Sequence, residues 1–269
     1  MDSIIKKESG KPGKTLAVFC GTHGNEKVGI FAVKKALENV EVQRGTVYFV
    51  FANEQAIEKN IRYTQKNLNR CFKKDQKGET YEEKRAVELM ELLESVDALL
   101  DIHSSNNPNT IPFAITDSGQ DVVKNMKFEI IATGFDDIEA GATDGYMKRE
   151  NKVGICVECG YSKESKKNTE LAYDSIIQFL QYFNVVDQMR PKNTLTQRTL
   201  HVDGVQKITD KNFNIVRSFD DFETIPEGTL IATDDEQEYR TKKERAILFA
   251  IAGKKDVGAE AYILGSWVN

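Results

Sequence analysis

An α/β sandwich around a largely parallel or mixed sheet, followed by a smaller β-rich segment, is the fold class predicted by this 269-residue sequence. Three observations carry the prediction. Short apolar runs alternate with stretches of helical periodicity over the first part of the chain, the pattern of strands separated by helices. Near residues 186–191 the alternation stops, and short strand-like runs divided by turn signals take over. The length suffices for one large core carrying a smaller companion. The expected division is therefore a main domain, 1–188, and a β-rich domain, 189–269, that covers the cleft of the first.

The elements follow in order. Thr15–Cys20 is an apolar run stopped by Gly21, and residues 26–37 set Val28, Ile30, Phe31, Val33 and Ala36 at helical spacing. Thr46–Phe51 is a β-branched and aromatic strand. Tyr81–Glu94 places Val87, Met90 and Leu93 on one side of a helix, and residues 96–102 supply the next strand. Residues 111–115 and 153–159 read as strands and 165–183 as a long helix. Beyond them come the runs 195–202, 213–217, 229–232, 246–252 and 261–264, separated by turns such as Asp203-Gly204 and Pro226-Glu227-Gly228. The charged stretches 73–84 and 234–245 read as solvated surface.

Composition narrows the function. Hydrophobic residues at 40% and charged residues at 29% belong to an ordinary globular protein. A net charge of -5 offers no attraction to a polyanion, which argues against a nucleic-acid partner, while local arginines can still capture a small anionic substrate. No run approaches the roughly 18 apolar residues of a membrane span. The N-terminal MDSIIKKESG lacks the apolar core of a secretion signal, so no membrane role is expected and the cytoplasm is the expected compartment. A homodimer is the default oligomer. Cys156 and Cys159 have CxxC spacing but lie in a strand, where side chains three apart face opposite ways, so buried structural thiols are expected instead of a redox or metal pair.

Two of the three histidines sit at strand ends: His23 in Cys20-Gly21-Thr22-His23-Gly24-Asn25-Glu26 and His103 in Leu100-Asp101-Ile102-His103-Ser104-Ser105. Ligands of open α/β sheets bind beyond the carboxyl ends of the strands, so these two can meet in one cleft. Glu26 follows His23 by three and can join it on one side of a turn. Two imidazoles and one carboxylate form a ligand set known from catalytic zinc sites, which leave one position open for water. Asp101, two residues before His103, faces the same side of the strand and can orient a histidine through its N–H. The competing reading is a loop histidine, a helix-start glutamate and an isolated strand-end histidine. Glu158 interrupts the apolar stretch Ile155-Cys156-Val157, a surprising place for a carboxylate unless it is paired or functional.

GTHGNE, NIRY, LNR, DIHSS and VECG occur in the order seen in the aspartoacylase/succinylglutamate desuccinylase family, which the first 160 or so residues resemble. That family is related to the zinc carboxypeptidases and shares their α/β architecture. The resemblance implies one zinc ion per chain held by His23, Glu26 and His103, with Glu158 as the catalytic carboxylate. It implies that Arg62 polarises the scissile carbonyl and that Asn69 and Arg70 hold a substrate carboxylate. Asn53 resembles the start of the family's asparagine-proline segment, with Glu54 in place of the proline. Tyr146 with Lys148 or Arg149, and Tyr239 from the C-terminal part, are the candidates for the remaining substrate contacts. The implied activity is hydrolysis of the amide of a carboxylate-bearing N-acyl amino acid, aspartoacylase-like or desuccinylase-like. A metallocarboxypeptidase acting on small peptides and a catalytically silent zinc-binding module are the alternatives.

Overall fold

The computed structural model describes residues 2–105, 107–163, 165–188, 193–253 and 256–268. The first part holds β1 (Ile4–Glu8), β2 (Thr15–Cys20), α1 (Lys27–Asn39), β3 (Thr46–Phe51), α2 (Glu54–Lys59), a 3-10 turn at Leu68–Arg70 and α3 (Tyr81–Glu94). There follow β4 (Ala98–Ser105), β5 (Phe113–Ile115), α4 (Gln120–Val123), β6 (Ile130–Thr133), α5 (Phe135–Ile138), α6 (Thr143–Arg149), β7 (Val153–Tyr161) and α7 (Ser165–Tyr182). The C-terminal part holds β8 (Arg198–Lys207), β9 (Asn214–Ile215), β10 (Glu223–Ile225), β11 (Leu230–Thr233), β12 (Glu238–Arg240), β13 (Arg245–Leu248) and β14 (Glu260–Val268).

Eleven strands form one mixed sheet in the order β1-β3-β2-β4-β7-β5-β6-β8-β14-β13-β10, and β12-β11-β9 form a small antiparallel one. Strands β3, β2, β4 and β7 run parallel, as do β5, β6 and β8. Alternation along each strand divides the core into two layers. Leu16, Val18, Cys20, Leu100, Ile102, Ile155, Val157 and Cys159 pack with residues of α1 and α7 on one face. Ala17, Phe19 and Leu99 pack with residues of α3 and α6 on the other. Helix α3 begins where its sequence says it should: the Thr80 side chain accepts from the Glu83 N–H while Glu83 accepts from the Thr80 N–H, satisfying two donors that a helix start leaves open.

The expected boundary falls at residues 189–192, which lie outside the described residues. On its far side the chain continues the main sheet: β8 pairs in parallel with β6, and β14, β13 and β10 add on antiparallel. The physical reason is a shared core in which Leu200, Val202, Ala246 and Leu248 pack with Phe113, Ile115, Ile130 and Ala132. The small sheet has its own apolar cluster around Phe213, Ile215, Ile231 and Tyr262. Strand β12 lies within the charged stretch read as surface, and its side chains remain half-buried or exposed. Among the described residues no helix is long and apolar enough to cross a membrane.

Candidate active site

The site is built on the carboxyl ends of β2, β4 and β7. At the end of β2 the chain turns through Gly21 at φ +66°, a left-handed conformation suited to glycine. Gly24 then passes so close to α2 that a Cβ would stand 2.0 Å from the Ala56 carbonyl carbon, and its N–H donates to the Arg62 carbonyl at 3.2 Å. The Glu26 N–H donates to the His23 carbonyl at 3.2 Å, closing the turn that brings the two side chains together. His103 lies within β4 because β4 runs on to Ser105 beside the extended β7. Register then sets Asp101 across from Cys156 and His103 across from Glu158, four side chains on one face of two neighbouring strands.

His23, Glu26 and His103 are buried, and their ligand atoms lie within 4.8 Å of one another. His23 Nδ1 is 2.7 Å from Glu26 Oε1, and His103 Nδ1 is 3.0 Å from Glu26 Oε2. The outer nitrogens also face oxygens. His23 Nε2 lies 3.0 Å from Asn67 Oδ1, an oxygen identified by the Asn69 N–H that donates to it at 3.0 Å. His103 Nε2 lies 3.2 Å from Asp101 Oδ2, close enough for charge pairing but at an angle short of a hydrogen bond. A neutral imidazole has one N–H, so whichever nitrogen of His23 carries it, the lone pair of the other faces an acceptor. A cation between the two Nδ1 atoms and Glu26 removes the conflict, with the protons on Nε2 toward Asn67 and Asp101. The donor set therefore fits a divalent metal such as zinc. Burial, opposed by the nearby Glu26, lowers the His23 pKa to about 4, which keeps that ring neutral. Burial would raise Glu26, yet His23 and His103 hold it well below the ordinary carboxylate range. Asp101 is fixed in turn by the hydroxyls of Thr22 at 3.1 Å and Thr143 at 2.8 Å.

Glu158 and Arg62 line the same cavity of about 270 Å³. Glu158 Oε2 is sealed from solvent without a hydrogen-bond partner. Burial, reinforced by the charge of Glu26, pushes the Glu158 carboxyl up to about 7, where it can both take and return a proton near neutrality. Arg62 donates to Glu26 Oε1 at 3.2 Å. The loop that carries Arg62 and Asn67 is tied down by the buried Glu82, which accepts from the N–H groups of Thr64 at 2.6 Å, Lys66 at 3.1 Å and Gln65 at 3.2 Å.

Asn69 and Arg70 form the other end of the cavity. Asn69 Oδ1 accepts from the Thr143 N–H at 3.2 Å. One terminal nitrogen of Arg70 stands 3.3 Å from Glu139 and 3.5 Å from Glu260, and the other donates to the Asn69 carbonyl at 2.8 Å. Burial and the neighbouring Glu139, which acts as the acceptor, push Glu260 up to about 7, while Glu139 is held down at about 2 by Glu260, Arg70 and Lys207 against the effect of burial.

Several expected contacts do not line this cavity. Asn53 is buried as the cap of α2, accepting from the Ala56 N–H at 3.2 Å, a role open to the first residue of an asparagine-led helix start. Tyr146 packs beside Met147 in the α3 core. Lys148 pairs with Asp117 at 3.1 Å, and Arg149 pairs with Asp136 and donates to the Phe72 carbonyl at 2.8 Å. Tyr239 sits in the small sheet and donates to Asp234 at 2.5 Å. Cys156 and Cys159 are free and buried, facing different core layers. The C-terminal part reaches the cavity wall instead through Phe249, Ile251, Glu260 and Ile263. Sequence reasoning missed Asn67, Glu139 and Glu260. Glu260 carried the same signal as Glu158, a carboxylate heading the apolar run Ala261-Tyr262-Ile263-Leu264.

Comparison with known proteins bears on this geometry. The family described as "Succinylglutamate desuccinylase/Aspartoacylase catalytic domain" matches residues 12–180. A probable aspartoacylase of Nostoc sp. is 26% identical over 63% of this chain and 65% of its own length. Mouse aspartoacylase is 34% identical over 49% of this chain and 46% of its own length. The rat N-acyl-aromatic-L-amino acid amidohydrolase (carboxylate-forming) is 30% identical over 65% of this chain and 64% of its length. The chain thus spans about half to two thirds of these curated relatives. A succinylglutamate desuccinylase structure from Vibrio cholerae superposes with a TM-score of 0.81 at 18% identity, covering 99% of this chain and 86% of that one. A succinylglutamate desuccinylase/aspartoacylase from Rhodobacter sphaeroides gives 0.76 at 16% identity, covering 99% and 89%. At these identities the structural likeness concerns the fold.

Proposed function

Because the chain belongs to the succinylglutamate desuccinylase/aspartoacylase family, we propose that it hydrolyses the amide bond of an N-acyl amino acid, using a zinc ion held by His23, Glu26 and His103. The observation that carries the reading is the convergence of the His23 and His103 Nδ1 atoms on Glu26, in one cavity with Glu158 and Arg62. When bound, the metal supplies a Lewis acid able to lower the pKa of a water to about 7. Glu158 takes the proton of the attacking water and returns it to the departing amine, a task suited to its raised pKa. Arg62 swings from Glu26 toward the carbonyl oxygen as that oxygen gains charge; losing one such donor typically costs about 3–4 kcal/mol in the transition state. Arg70 offers a guanidinium fork to the substrate carboxylate. Asp101 and Asn67 hold the two imidazole rings in orientation through Nε2. A cavity of about 270 Å³, walled in part by Phe249 and Ile251, suits small substrates better than the longer peptides of a carboxypeptidase.

The test is an assay of zinc-loaded protein on a panel of N-acyl amino acids, with Glu158→Gln beside the wild type. Turnover is expected to stop on metal removal and to fall by a factor of about 10²–10⁴ in Glu158→Gln, with the metal retained. Full activity in either the metal-free protein or the variant would refute the mechanism, and metal binding without turnover of any panel member would favour a silent zinc module.

A further inference from the structure

We propose that Glu139 and Glu260 select the substrate's side chain, so that the site favours an N-acyl amino acid with one carboxylate and a cationic side chain over one with a second carboxylate. The inference rests on the deacylase reading for the direction in which the substrate lies, acyl group toward Glu158 and amino-acid part toward Arg70.

Arg70 is already paired. It lies in the cavity wall and is the cation on which the substrate carboxylate is expected to dock, yet Glu139 and Glu260 already stand 3.3 and 3.5 Å from its guanidinium. Glu139 has a second cation, the Lys207 ammonium at 2.9 Å. Arg70 and Lys207 thus meet Glu139 and Glu260 at this end of the cavity, where burial and the neighbouring Glu139 push Glu260 up to about 7, so that one proton is held beside the ionised Glu139. One substrate carboxylate on Arg70 is balanced by that proton. Among the described residues lining the cavity, no cation would be left to receive a second carboxylate, since Arg62 lies at the metal end, bonded to Glu26. An ammonium, by contrast, can replace that proton: it donates to both glutamates, leaves each ionised, and lets Arg70 turn to the substrate carboxylate. The charges then balance. Ile115, Ile138 and Ile263 line the cavity too and suit the methylene stem of such a side chain. The chemical class is therefore an Nα-acyl diamino acid short enough for about 270 Å³.

Three matched substrates decide the point: Nα-acetylornithine, N-acetylnorvaline and N-acetylglutamate, with similar stems and side-chain charges of opposite sign or none. On the zinc-loaded enzyme, kcat/KM is expected to fall in that order, by about tenfold at each step. Binding of the free products ornithine, norvaline and glutamate, followed by calorimetry, is expected to follow the same order. In Glu260→Gln and Glu139→Gln the ornithine-to-norvaline ratio should shrink by about tenfold. A glutamate derivative equal to or better than the ornithine one, or ratios unmoved in both variants, would overturn the proposal and leave the deacylase reading standing. Selective binding of ornithine without turnover of any of the three would instead remove the deacylase reading and support the charge selection.

Discussion

The two ends of the cavity are made differently. The metal end is assembled from neighbouring strands whose register fixes the side chains: Asp101 and His103 on β4 stand across from Cys156 and Glu158 on β7, and a turn of four residues brings in His23 and Glu26. The far end gathers a 3-10 turn at Arg70, the end of α5 at Glu139 and the start of β14 at Glu260. Backbone hydrogen bonds hold the first arrangement, whereas the second depends on side chains brought together across 190 positions of sequence. On the proposed reading, chemistry is thus placed where strand register fixes the side chains and selectivity where side chains from distant elements meet.

The sharpest way to break that contrast is at Asp101. Replacing it by Asn removes the charge facing His103 Nε2 and one of the two oxygens that accept from Thr22 and Thr143. Zinc affinity, measured by competition with a chelator, should fall by about 10–100-fold, with the fold intact by circular dichroism; unchanged affinity would mean that the register alone orients the ring. Arg70→Lys probes the other end. It keeps the charge and loses the fork, so KM should rise by about tenfold while metal content stays the same. A loss of zinc in that variant would show the two ends to be coupled.

The loop from Arg62 to Arg70 spans both ends, and Glu82 is its anchor. Glu82→Ala strands the N–H groups of Thr64 and Lys66, and should lower stability by about 1–3 kcal/mol in denaturant titration, with turnover falling as Arg62 and Asn67 lose their place. The smallest effect concerns pH. Lys66 and the Thr80 N–H hold the Glu83 carboxyl at about 2, below its ordinary 4.5. Because the folded value is depressed, the stabilisation is complete above pH 4.5 and is lost as pH falls toward 2. Unfolding curves of wild type and Glu83→Gln should therefore differ at pH 6 and converge as pH approaches about 2, and a constant difference would exclude the linkage.

What could be read from the sequence follows the same division. Thr15–Cys20, Thr46–Phe51 and Tyr81–Glu94 were legible because local periodicity matches a two-faced strand or a one-sided helix. His23, Glu26, His103 and Glu158 were legible because strand ends and a misplaced carboxylate are local signals. Strand β1 was not: Ile4–Glu8 has little alternation and exists through its antiparallel pairing with β3. The placements of Tyr146 and Tyr239 were illegible for a related reason, since a tyrosine serves a core or a pocket equally well and only tertiary packing decides. Glu139 lies among acidic neighbours, Asp136 and Asp137, and nothing local separates it from surface charge.

The pairing of β6 with β8 also bears on how this protein can be divided. Cutting the chain between them would not free a catalytic half; it would open Ile130–Thr133 along its whole length, with Ile130 and Ala132 stripped of their cover. Such an edge recruits any strand it meets, so a fragment ending near residue 188 should sediment with other copies of itself instead of working alone, and its recovery as a monomer would contradict this.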